Sequence, residues 1–103
     1  MEIIFHAHHA VISENMRLRA ERAVRKIARR LPHAVDAVIR FEQDGPTRRV
    51  EIVLHSPRQR DLVAEARSRY YGPALKQASD KLLTQTARVK RAPRGRGREL
   101  ARA

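Results

Sequence analysis

The 103-residue chain is predicted to fold as an α+β domain of order β-α-β-β-β-α, a four-stranded sheet with both helices packed on one face. Three observations predict this. Segments 14–31 and 73–91 repeat apolar residues at helical spacing. "RRVEIVLH" (48–55) alternates apolar and polar residues, as a half-buried strand does. Turn-forming clusters, "QDGPT" and "SPRQR", separate the other β-rich pieces. Each strand has one apolar side and each helix one apolar stripe, so one layer of helices over one sheet face buries them all.

The elements follow in order. "EIIFH" (2–6) is β-branched and aromatic and reads as a short strand. Ser13 stands at a helix N-cap with Glu14 at the positive end of the dipole. Met16, Ala20, Ala23, Val24, Ile27 and Leu31 then mark a helix over 14–31, which Pro32 ends by restricting Leu31. "AVDAVIRFE" (34–42) turns Ala37, Ile39 and Phe41 one way and Val38 and Arg40 the other. The third strand points Val50, Ile52 and Leu54 inward, and "DLVAEA" is a weaker strand with Leu62, Ala64 and Ala66 on its apolar side. "YYGP" opens the last helix with Pro73 at its first position, and Leu75, Ala78, Ser79, Leu82 and Val89 form its stripe to about Arg91. Residues 92–103, "APRGRGRELARA", have no apolar period and are expected to form a disordered basic tail after a single domain over 1–91.

Charge is the dominant compositional feature: 23 Lys+Arg against 11 Asp+Glu, a net of +12. The predicted helix 14–31 holds seven basic residues and two acids, and helix 73–91 and the tail hold the rest of the excess. The strand segments are balanced. Arg22, Arg25, Lys26 and Arg29 align as one outward stripe. Lys81 and Arg88 share a face of the last helix, with Gln85 between them. Acids that would normally partner these residues at i,i+4 are largely missing. Self-repulsion of this size is relieved by a polyanion, so nucleic acid is the expected partner rather than a membrane surface.

There is no cysteine, no apolar run of membrane-spanning length and no signal-peptide pattern, so a cytoplasmic monomer is expected. No glycine-rich phosphate loop or Gly-x-Ser-x-Gly elbow occurs, and the acids are scattered rather than clustered around a metal. Enzymatic activity, a cofactor and a small-molecule substrate are therefore not expected. His6, His8 and His9 lie close in sequence, and His6 and His8 would share one side of a strand. No third ligand is near, so a metal site is not expected and His8 and His9 read as part of the strand-to-helix connection. Tyr70 or Tyr71 would be able to stack on an exposed base, although packing over the sheet edge is the plainer role.

Four segments, "HHAVISENMR", "KIARRL", "VEIVLH" and "SDKLLTQTARVK", occur in an order and at separations along residues 2–91 that resemble the ribosome hibernation factors, or sigma-54 modulation proteins. The resemblance implies a shape akin to double-stranded RNA-binding domains. It also implies translation inhibition: binding to the small ribosomal subunit and its rRNA near the messenger and tRNA sites, during stress or stationary phase. The family's basic positions carry over to Lys26 and Arg29, and to Lys81, Arg88 and Lys90, while Arg22, Arg25 and Arg91 join them by helical geometry. His8 and His9 match a His-His pair beside the basic helix and are expected to touch RNA backbone. Departures are Ala7 in place of a usual Gly, and "RSRYYGPALKQ" in place of an acidic segment, with Lys76 where an Asp is common. The chain ends at 103, so the second domain by which longer members pair ribosomes is not expected. A general RNA binder without ribosome specificity is the alternative.

Overall fold

β1 (Glu2–His8) leads through Ser13 into α1 (Glu14–Ala28) because the Ser13 Oγ accepts the Met16 N–H at 3.1 Å and so caps the helix. There follow β2 (Asp36–Asp44), β3 (Thr47–His55), β4 (Leu62–Ser68) and α2 (Tyr71–Arg102). The computed structural model describes residues 1–89 in full apart from Pro32 and Arg58, and the backbone alone of residues 90–102. The expected disordered tail, 92–103, lies outside the fully described residues.

The sheet order is β1-β2-β3-β4, with β1 parallel to β2 and the other neighbours antiparallel. The α1 crossover is what permits the parallel pair. β2 and β3 are joined by Gly45 and Pro46 alone. Gly45 has φ +59°, which fits a two-residue type II′ hairpin turn. Most of the predicted inward residues meet in one core: Ile39 and Phe41 of β2, Val50, Ile52 and Leu54 of β3, Val24 of α1 and Leu82 of α2 are buried to 1% exposure or less. Each such side chain contributes about 1.5–3 kcal/mol by leaving water. Ala20 and Ala74 on the helices and Ala64 and Ala66 on β4 are small enough to let helices and sheet approach.

The structure shifts several boundaries. α1 ends at Ala28, not Leu31: the Arg30 and Leu31 N–H groups bond to Ile27 and Ala28 oxygens, each at 3.0 Å, tightening the last turn before Pro32. Leu31 nevertheless stays in the core at 3% exposure. α2 begins at Tyr71, so Pro73 is its third residue rather than its first. No bond is lost, since first-turn N–H groups have no helical acceptor. β1 runs two residues further than predicted because its parallel register with β2 continues to His8 opposite Glu42. His8 is therefore strand, and only His9, at φ +52°, belongs to the connection.

The face of the sheet away from the helices is organised in cross-strand rows. Ile4, Val38, Val53 and Val63 stand in register across all four strands, an apolar row that sequence alternation alone did not reveal. The adjacent row is His6, Arg40, Glu51 and Glu65. Here the polar residues expected on this face pair with one another. Arg40 Nη1 donates to Glu51 Oε1 at 2.8 Å, and Arg49 donates to Glu51 at 3.0 Å and also to Glu65.

Candidate nucleic-acid interface

Among the described residues, most of the positive charge without an ion pair lies on the outer surface of the helix layer. Arg22, Arg25 and Lys26 on α1 and Arg29 at its C-cap are all exposed, as the expected stripe requires. They are not equivalent. Arg25 donates to Glu21 Oε2 at 3.2 Å and to the Met1 carbonyl at 3.2 Å, so it ties α1 to the start of β1. Arg22, Lys26 and Arg29 make no ion pair among the described residues, and their charge is free for an outside partner. Arg19 and Arg30 are likewise exposed and without an ion pair among the described residues. Their positions flank the stripe on the helical wheel, which was the available sequence signal for them.

On α2 the structure separates Lys81 from Arg88. Lys81 Nζ donates to the Glu65 carbonyl at 2.9 Å, and Gln85 Nε2 donates to the Val63 carbonyl at 2.7 Å. Both acceptors lie on β4, an outer strand of the sheet, so these side chains cover an edge that would otherwise offer free acceptors. Arg88, one turn on, is exposed and makes no ion pair among the described residues. Lys76 is held by Asp80 at 3.2 Å. The side chains of Lys90 and Arg91 lie outside the described residues.

His8 departs from its expected place in the strand-to-helix connection, and His9 keeps it. Their rings meet edge to face at 4.2 Å, but β1 alternation sends His8 with His6 to the open face of the sheet. There they line a shallow hollow with Arg40, Phe41, Glu42 and Arg49. Among the described residues no group of three or more His, Asp or Glu is arranged to hold a metal.

Electrostatics on the two faces differ in kind. Burial opposes the charge of Arg49, yet the hydrogen bond and charge of Glu65, then Glu51 and Glu42, outweigh it and hold the guanidinium above its ordinary value. Reciprocally, the Arg49 hydrogen bond holds the Glu65 carboxyl below the usual range, against its partial desolvation. His55 Nδ1 lies 2.5 Å from Asp61 Oδ1, and this bond raises the imidazole above its ordinary value despite some desolvation, helped by the charges of Asp61 and Asp36. The sheet face thus neutralises itself through internal partners, while Arg22, Lys26 and Arg29 stand without counter-charges among the described residues.

Known proteins share this fold. The family described as sigma 54 modulation protein / S30EA ribosomal protein matches residues 3–94. Among solved structures, the chain is similar to a ribosomal subunit interface protein from Coxiella burnetii, at 22% identity and TM-score 0.76, covering 87% of this chain and 98% of that one. It is also similar to the N-terminal domain of Thermus thermophilus Protein Y, at 22% identity and TM-score 0.75, covering 86% and 99%. At that identity these likenesses establish the α+β fold with its two helices on a four-stranded sheet. No curated protein matches the chain.

Proposed function

The chain belongs to the sigma 54 modulation protein / S30EA ribosomal protein family, and from that membership we propose that it is a ribosome hibernation factor that binds the rRNA of the small subunit and blocks decoding. The observation that carries this reading is the row Arg22, Lys26 and Arg29, exposed on α1 with no internal counter-charge. Arg88 extends the surface on α2, and Lys90 and Arg91 continue it in sequence. Lys81 keeps donors to spare beyond its bond to Glu65 and adds charge from the β4 side. Arg25 contributes long-range field more than contact, since Glu21 and Met1 hold it. His8 sits on the open face of the sheet, and His9 follows it in the connection with its ring against that of His8.

Recognition of this kind reads phosphates and the shape of folded RNA rather than base edges. It needs no bond-making step, so the protein acts stoichiometrically, one copy per small subunit, in the cytoplasm under stress or in stationary phase. Co-sedimentation with small subunits, whole ribosomes and bulk RNA across a salt series tests it. Saturation at one copy per small subunit, with translation lost in parallel, is the expected result. Equal retention on bulk RNA would replace this reading with that of a general RNA binder.

A further inference from the structure

The corner between β4 and α2 holds an exposed aromatic ring on a rigid mount surrounded by arginine. The chain has four Phe and Tyr residues, and Tyr70 is the one standing mostly in solvent, at 66% exposure. Its neighbours are fixed. Arg48 Nη1 donates to the Arg69 carbonyl at 2.5 Å, and the Arg48 guanidinium lies 5.7 Å from the Tyr71 ring centroid. Tyr71 in turn meets buried Phe41 edge to face at 5.5 Å. The Tyr70 carbonyl accepts the Ala74 N–H at 3.3 Å, a role any residue fills with its backbone. The fold thus makes no use of the Tyr70 ring.

Charge converges on the same corner. Arg69 is exposed and without an ion pair among the described residues, and no acid occurs from residue 66 to 79. Arg19 reaches in from α1: its Nη1 lies 3.6 Å from where a Cβ on Gly72 would stand, so the guanidinium borders the first turn of α2. The acid felt by Tyr71 is Glu42, which stands opposite Arg49 in the sheet.

We propose that this corner is a second RNA contact that takes one unstacked nucleotide, its base on the Tyr70 ring and its phosphate between Arg69 and Arg19. Any base offers a face to such a ring, so the contact tolerates sequence while requiring an unpaired base. The proposal rests on the RNA-binding reading above but locates a distinct surface, and it is tested without ribosomes. The chain has no tryptophan, so its tyrosine emission comes from Tyr70 and Tyr71 alone. The 103-residue chain is titrated with a single-stranded oligoadenylate of about six nucleotides and with a duplex of equal charge.

The single strand is expected to quench the emission and the duplex to leave it nearly unchanged. Tyr70→Ala should weaken single-strand binding by about 5–150-fold with an unchanged thermal midpoint, whereas Tyr70→Phe should bind like the parent. Wild-type affinity in Tyr70→Ala, or an equal loss for single strand and duplex, would overturn the proposal. If Tyr70-dependent quenching persists while small subunits are not bound, the ribosome reading fails and the corner stands. If small subunits are bound and the quenching does not depend on Tyr70, the corner alone fails.

Discussion

Lys81 on α2 donates to the carbonyl of Glu65 on β4 at 2.9 Å, and Gln85, one turn later, repeats the pattern at Val63. A helix side chain that looks like free surface charge is thereby a strap over a sheet edge. This changes what substitution at Lys81 should do.

Gln85→Ala removes the neutral half of the strap and should cost about 0.5–1.5 kcal/mol, read as a lower urea midpoint with unchanged slope. Lys81→Glu should lower stability as well as RNA affinity, because a carboxylate facing the Glu65 carbonyl replaces a donor with an acceptor. If Lys81→Glu unfolds at the parent temperature, the bond to Glu65 does not contribute in solution.

Arg22, Lys26 and Arg29 should separate binding from folding. Changing all three to Gln leaves no broken ion pair behind. Loss of Arg29 at the end of α1 forfeits about 0.3–1 kcal/mol of helix-dipole stabilisation, against which relief of self-repulsion works. The thermal midpoint should therefore move little, while affinity for small subunits falls and the log–log salt slope becomes shallower by about 2. An unchanged salt slope would remove these residues from the RNA surface.

His55 and Asp61 give a pH signature. The folded imidazole holds its proton more tightly than its ordinary value of 6.5 because Asp61 bonds it. This contribution is fully present below that value and is lost as pH rises through the elevated folded value. Denaturation midpoints of the parent and His55→Gln should differ most near pH ~6 and converge once pH has risen past the elevated folded value. A difference that grows with pH would contradict the pairing.

Glu65 gives the opposite sign. Its carboxyl is held below the ordinary value of 4.5, chiefly by the Arg49 hydrogen bond, so its stabilisation is present above that value and fades as pH falls through the depressed one. Glu65→Gln should flatten the acid limb of the stability profile relative to the parent.

Phe41→Ala should be the most damaging single change on β2, at about 3–5 kcal/mol, a large share of a typical domain's stability. It empties the core and removes the ring on which Tyr71 rests. Loss of cooperative unfolding, followed by calorimetry, is the expected outcome.

Much of the molecule was legible in the sequence because it depends on local periodicity. Val50, Ile52 and Leu54 alternate, Val24 and Ile27 recur on one helix face, Ser13 has the side chain a cap needs, and all of them are found where those patterns put them. The location of excess charge was equally legible, since it follows from counting. Spacing alone carries α1 past its end at Ala28, because Leu31 keeps the helical period and stays buried after the helix has stopped. The strand character of His8 is invisible to local pattern because it comes from a parallel partner, Glu42, 34 positions away along the chain.

The sequence by itself determined the order of elements, their apolar faces and the concentration of charge in the helices, all consequences of side-chain spacing along one segment. The tertiary structure alone decided which cations are free. Arg25 is tied to Met1, Lys81 to Glu65, and Arg49 to Glu51 and Glu65, whereas Arg22, Lys26 and Arg29 remain without ion pairs among the described residues. The physical reason is that most of these ties cross from one element to another, some over 16 to 24 positions of chain, and so depend on strand register and helix docking. A charge becomes available to RNA only where that packing leaves it without a nearer partner.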